Sequence, residues 1–333
     1  KTDPYHIQRR GGRGVSGMTR REEDVASDMF VINSHDYVMF FTNLGRVYRL
    51  KCYEIPEGSR TSKGMNIANL LPIAQDEKVT SMIRVPEFDD ESYLCMVTRN
   101  GIIKRTRLSA YDTARKGGVI AIDLDEGDEL SWVRLTTGDT QLLVATRLGM
   151  AIRFDERDVR PMGRTARGVK AITLKESDYV IGMSSLRADG LVLTVSATGY
   201  GRLSGINDYR IQSRGGKGLT NYHVQKYGEV AAIKVVDPDD DVILISSDGI
   251  IIRISANSIR ECARPSKGVR VMRLNESSEV VTLARTAHEE DAVDALPADE
   301  GDADADADLN LDEEAEEISE TVPSDAEPEN TED

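Results

Sequence analysis

The stretch VILISSDGIIIR, residues 242–253, decides the fold. Two aliphatic runs flank Ser-Ser-Asp-Gly, a combination that turns a chain back on itself and reads as a β-hairpin. Four other stretches repeat the pattern: VMFFTNLGRVYR (38–49), LCMVTRNGIIKR (94–105), LLVATRLGMAIR (142–153) and VLTVSATGYGRL (192–203). Their turn glycines, Gly45, Gly101, Gly149, Gly199 and Gly249, lie 56, 48, 50 and 50 residues apart. The runs are apolar throughout rather than alternating, so both faces of each strand should be covered.

A basic loop with a glycine recurs at the same period, at Gly14, Gly64, Gly118, Gly168, Gly218 and Gly268. The loop leads into an apolar strand such as VIAIDL (119–124), VKAITL (169–174) or VRVMRL (269–274). An acidic bend and a further strand follow. Four short strands in each unit of about 50 residues predict an all-β, propeller-like array. Six loops face only five hairpins. A sixth hairpin is therefore expected just upstream of Lys1, in a first blade truncated at its N-terminus. The bladed body is expected over residues 1–285 and a separate tail over 286–333.

Charge divides along the same boundary. The 333-residue chain carries 42 Lys+Arg against 58 Asp+Glu, a net of −16. All 42 basic residues fall within 1–285, against 37 acidic ones, so the body carries +5; residues 286–333 hold the other 21 acids. That tail, rich in Asp, Glu, Ala and Pro and without aromatics, should be disordered and should compete as a tethered polyanion for the basic loops. Asp302, Asp304 and Asp306 with Glu313 resemble a calcium loop, but Ala307 stands where the turn needs glycine. No apolar run approaches the roughly 20 residues of a membrane helix, and the polar N-terminus has no signal-peptide core. Three scattered cysteines, Cys52, Cys95 and Cys262, argue against a disulfide framework or zinc site. Ser34-His35-Asp36 is a polar loop rather than a triad, since triads assemble in space. None of the 11 tyrosines lies near a carboxylate cluster suited to Mg²⁺. The sequence thus assigns no catalytic residue, no metal ligand and no cofactor.

The loop cations stand in register. Four and one residues before the loop glycine come Arg10 and Arg13, Arg60 and Lys63, Arg164 and Arg167, Arg214 and Lys217, Arg264 and Lys267. Only the Gly118 loop departs, with Arg115 and Lys116. A second set follows the hairpin glycine by four residues: Arg49, Arg105, Arg153 and Arg253, with Arg202 one place early. Solvated loops are commonly basic, yet five of six loops filled at the same two positions indicate a continuous positive belt around a rim. Such a belt suits duplex DNA, a polyanion with one charge per about 1.7 Å of axis. Loop glycines should let main-chain N–H groups approach phosphate closely. With no recognition helix and no aromatic-rich stacking face, the predicted contact is to the backbone of bent duplex, largely independent of sequence.

The first loop reads Gln8-Arg9-Arg10-Gly11-Gly12-Arg13-Gly14. It resembles the box that marks the C-terminal domains of DNA gyrase A subunits, with Arg for the usual Lys at its sixth position. Gln212 to Gly218 is a near copy. The resemblance covers the whole body and implies a six-bladed β-pinwheel that wraps DNA around its outer rim, so that the parent enzyme introduces negative supercoils. It also implies that the ATP site lies in the gyrase B subunit, with the cleaving tyrosine in the N-terminal part of the gyrase A subunit. Mg²⁺ and ATP are then used by the A2B2 holoenzyme. The same resemblance implies an isolated domain that is a monomer in the bacterial cytoplasm, associated with the nucleoid. Two alternatives compete: the corresponding domain of topoisomerase IV, which lacks an intact box, and a propeller scaffold for protein partners, which needs no cationic belt.

Overall fold

The computed structural model describes residues 15–16, 32–58, 64–113, 115 and 117–287. These form five four-stranded antiparallel sheets. The fourth sheet is representative. Leu191–Ser196 and Tyr200–Gly205 form the hairpin, Val230–Val236 flanks the first of them, and the short strand Val269–Arg270 flanks the second. The other hairpins are Tyr37–Thr42 with Arg46–Lys51, Tyr93–Thr98 with Ile102–Arg107, Gln141–Thr146 with Met150–Asp155, and Asp240–Ser246 with Ile250–Ser255.

Each hairpin turn has a hydroxyl residue three places before its glycine. The glycine N–H donates to the Thr42, Thr98, Thr146, Ser196 or Ser246 carbonyl at 2.9–3.1 Å. The hydroxyl oxygen accepts from the N–H four residues on, as from Ile102 at 3.1 Å and Ile250 at 3.1 Å. The turn glycines have φ of +71° to +82°, a region that costs a side chain steric energy. Next to this turn, each sheet shows a register shift against the flanking strand, as between Val97 and Thr98. Such bulges increase local twist, which separates neighbouring sheets into blades.

The fourth strand of each of the first four sheets comes from the next repeat. Val119–Ile120 pairs with the first hairpin, Val169–Lys170 with the second, Leu219–Thr220 with the third and Val269–Arg270 with the fourth. The pairing covers only two residues, because the chain then turns in. The N–H groups of Ala121, Ala171, Asn221 and Val271 donate to the turn-glycine carbonyls of that same hairpin at 2.7–2.9 Å. The expected strands of six residues, such as 119–124, are thus corrected to two.

The blade count is also corrected: the described residues form five sheets, not six. Val15–Ser16, just after the first loop, pairs with Ile250–Ser255 and so completes the last described sheet. The Gly64 loop adds no strand among the described residues. Beside it Met65, Ile67 and Leu70 join Val38, Phe40 and Met82 in lining an apolar groove of about 310 Å³.

The core lies between blades. Leu94, Met96 and Tyr111 of the second blade pack with Met39, Phe41 and Val47 of the first, and equivalent clusters join the second to the third, the third to the fourth and the fourth to the fifth. Charged groups also cross these seams. Lys104 is fully buried and its ammonium donates to the carbonyls of Ala121 and Arg164. Burial, with the Arg164 charge beside it, pulls its pKa down to about 7, against a smaller opposing pull from Asp123. Cys95 is buried against Thr136 and Glu156, and burial pushes its thiol up to about 12; all three cysteines are free. The tail over 288–333, with its Asp302–Glu313 stretch, lies outside the described residues.

Two outcomes follow from this packing. At Gly168 φ is +107° and a Cβ would stand 2.6 Å from the Ile103 carbonyl oxygen. Gly168→Ala should therefore cost about 2–3 kcal/mol, read as a fall in denaturant midpoint at constant slope. Lys104 loses its proton more readily folded than unfolded, so between about pH 7 and the ordinary lysine range the unfolded chain binds more protons. Stability should rise with pH there. The melting temperature of the parent minus that of Lys104→Met should grow by about 2–4 °C per pH unit from pH 7 to 9. A flat difference would show an amine that titrates normally.

Candidate nucleic-acid interface

Adjacent basic loops touch, which is what makes a belt rather than separate patches. The Thr173 N–H donates to the Gly216 carbonyl at 2.8 Å, the Gly215 N–H to Ala171 at 2.6 Å and the Asp123 N–H to Ala166 at 3.2 Å. The loops at Gly118, Gly168 and Gly218 are thereby placed side by side, each one blade further on. Gly168, Gly218 and Gly268 all have positive φ, and a Cβ at each would collide with hairpin backbone. These glycines therefore serve the seating of the loop on the hairpin. Close approach of phosphate is not what demands them.

Among the loop cations, Arg115, Arg167, Lys217 and Lys267 are exposed. Arg167 pairs with Asp125, a surface contact that another anion can displace. The Lys267 ammonium stands 3.9 Å from the Tyr200 ring centre, and the Arg270 guanidinium donates to the Tyr200 hydroxyl at 2.8 Å. That hydrogen bond and the two nearby charges lower the Tyr200 pKa. Arg164, Arg214 and Arg264 are half-buried and bonded to main-chain carbonyls. Gln8, Arg9, Arg10, Gly11, Gly12, Arg13, Gly14, Arg60, Lys63 and Lys116 lie outside the described residues.

The second predicted set is corrected. Arg253, 2% exposed, pairs with buried Asp241 at 2.7 Å, and Arg105 pairs with buried Glu156 at 3.5 Å. Arg153 bonds Gln141 Oε1 at 2.6 and 2.9 Å and the Ile206 and Tyr209 carbonyls at 2.8 and 3.0 Å; burial lowers its pKa. Arg49 pairs with Asp112 at 2.7 Å and lies over the Tyr37 and Phe88 rings. Arg202 is fully buried, bonded to Ser204, Asn221 and the Ser266 carbonyl. Arg105, Arg153 and Arg202 bond to groups of the following repeat, Arg253 to its own hairpin and Arg49 to Asp112 at the surface, so these guanidinium groups have partners within the protein, and the buried ones would be costly to leave unpaired.

Sequence reading also missed cations. Arg160, Arg210 and Arg260 are exposed, each eight residues before its loop glycine. Lys170 and Arg270 are exposed two residues after it. The 50-residue spacing of 160, 210 and 260 was the available signal. Ile120 and Thr220 interrupt the row at the latter position.

The chain is similar to known proteins along most of its length. The family described as DNA gyrase C-terminal domain, beta-propeller, matches residues 1–33, 36–86, 92–137, 140–187, 190–237 and 240–287. The DNA gyrase A subunit of Mycolicibacterium smegmatis is 40% identical over 307 residues, covering 91% of this chain and 36% of the relative. That of Staphylococcus aureus is 42% identical over 300 residues, covering 89% and 34%. The chain thus spans about a third of the length of these relatives. A solved DNA gyrase A C-terminal domain superposes with a TM-score of 0.72 at 26% identity, covering 85% of this chain and 93% of the other. A solved C-terminal domain of DNA topoisomerase IV gives 0.69 at 28% identity, covering 77% and 80%. The chain belongs to the DNA gyrase C-terminal β-propeller family.

Proposed function

We propose that this domain binds duplex DNA without sequence preference, bends it along the basic rim and wraps it, so that a parent DNA gyrase can introduce negative supercoils with ATP. The observation that carries the reading is the row of exposed cations at fixed register on loops that touch: Arg160, Arg167, Arg210, Lys217, Arg260 and Lys267. Phosphates recur along duplex at regular intervals, and a periodic row can follow them, whereas base reading needs side chains in a groove. The described residues contain no α-helix beyond Val224–Tyr227. The role is binding. Cleavage belongs to the N-terminal part of the gyrase A subunit, ATP hydrolysis to the gyrase B subunit, within an A2B2 assembly. Mg²⁺ and ATP would act there, in the bacterial cytoplasm. The 40–42% identity to gyrase A subunits over about nine-tenths of the chain supports the gyrase reading.

Nine exposed cations, Arg115, Arg160, Arg167, Lys170, Arg210, Lys217, Arg260, Lys267 and Arg270, are available to phosphate. If all are used, log affinity of the 333-residue chain should fall against log salt with a slope near −8, with little dependence on sequence. Ligation of nicked circles with bound protein should leave a change in linking number. A slope shallower than about −3, or tight binding confined to one sequence, would defeat the wrapping reading.

A further inference from the structure

The two cations of each loop do different things. Arg214 donates through Nη1 to the Lys170 carbonyl at 3.1 Å and through Nε to the Asp158 carbonyl at 2.9 Å. Arg264 repeats this with Thr220 at 2.7 Å and Asp208 at 2.8 Å. Arg164 donates through Nη1 to Ile120 at 3.3 Å. The acceptors are equivalent. Ile120, Lys170 and Thr220 each stand two residues after the glycine of the preceding loop, and Asp158 and Asp208 lie in the 3-10 turn after a hairpin.

A guanidinium suits this place because its planar fork aims separate donors at two carbonyls at once, which a lysine ammonium on a flexible stem does less well. Turning Arg214 or Arg264 toward phosphate would break two charge-assisted bonds and uncover main-chain acceptors. The second cations, Arg167, Lys217 and Lys267, are exposed and, among the described residues, have no such tie to the backbone of the neighbouring loop.

We propose that Arg164, Arg214 and Arg264 are positioning residues that splice each loop onto the one before it, leaving phosphate contact to Arg167, Lys217 and Lys267 and to Arg160, Arg210 and Arg260. The inference rests on the DNA-wrapping reading and divides its cations by role. Both sets carry the same charge, so removing either lowers the overall positive potential equally. Only cations that displace condensed counterions contribute to the salt slope.

Two triple variants of the 333-residue chain separate the roles, Arg164→Gln/Arg214→Gln/Arg264→Gln and Arg167→Gln/Lys217→Gln/Lys267→Gln. Affinity for a random-sequence duplex is measured across a salt series, and amide exchange at Gly215 is followed, since its N–H is bonded to the adjoining loop. The second triple should flatten the slope by about 2.7, at about 0.9 per phosphate, and leave Gly215 unchanged. The first should leave the slope within about 0.5 of the parent and speed Gly215 exchange at least tenfold. Arg214→Lys should also speed Gly215 exchange, because the charge returns without the fork. Equal slope losses in the two triples, or parental Gly215 exchange in Arg214→Lys, overturn the proposal. Should the first triple fail to fold, the parent chain decides. The Nε–H resonances of Arg214 and Arg264 should hold their positions when duplex is added, while those of Arg160, Arg167 and Arg210 move; shifts at Arg214 and Arg264 overturn the division. A parent that binds duplex with a slope shallower than about −3 fails the wrapping reading and the phosphate half of this proposal together. Gly215 exchange then judges the splice alone.

Discussion

The structure depends on a two-residue strand seated on a neighbour's hairpin. A strand such as Val169–Lys170 or Val269–Arg270 has little stability of its own, since so short a pairing barely offsets the entropy of fixing it. It is held because the following N–H groups reach the turn-glycine carbonyl, as Val271 reaches Gly199 at 2.9 Å. A left-handed glycine then lets the loop approach without collision. No repeat completes a sheet by itself. The placement of the loops at Gly118, Gly168, Gly218 and Gly268 is consequently set by two hairpins, their own and the one before, and loops set identically present their cations at equivalent positions.

Arginine is used in two ways across this framework, and burial decides between them. At the seams Arg105, Arg202 and Arg253 have carboxylate or carbonyl partners within the protein. Removing one partner would leave a buried charge uncompensated, which is far more costly than losing a surface pair. On the rim Arg160, Arg210 and Arg260 stay in water, where a charge is cheap to keep and free to meet a polyanion. Lys104 shows the limit of the first use: it is buried with carbonyl acceptors and no carboxylate bonded to it, and its pKa falls accordingly.

The hairpins were legible because their code is local. A hydroxyl residue, two turn residues and a glycine between aliphatic runs define the turn, and Thr98 to Gly101 or Ser246 to Gly249 leave little else to form. Strand exchange was not legible, since a 50-residue period is the same whether the short strand joins its own hairpin or the previous one. The blade count failed for a related reason: the first loop was read as the end of a blade of its own, and Val15–Ser16 instead completes the last sheet. The belt was legible as a set of loops but not as a set of atoms. Arg214 and Lys217 sit three residues apart in one basic loop, and what separates them is a pair of backbone carbonyls from 44 and 56 residues away, which no side-chain pattern encodes.

A rim that bends duplex must also be stiff. Carrying about 40 bp through a half circle costs on the order of 10 kcal/mol, and this elastic energy is spread evenly along the DNA. One strong site cannot offset it, because the duplex would straighten on either side; contacts must recur within a few base pairs of each other. Nor can they hang on loose loops, since ordering each loop on binding would subtract from the attraction it supplies. Loops already bonded to one another, as Gly215 is to Ala171 and Thr173 to Gly216, have lost that freedom during folding. On the wrapping reading proposed above, the same strand exchange that closes the sheets would prepare the rim for a bent polyanion, with the cost of ordering met by burial between blades.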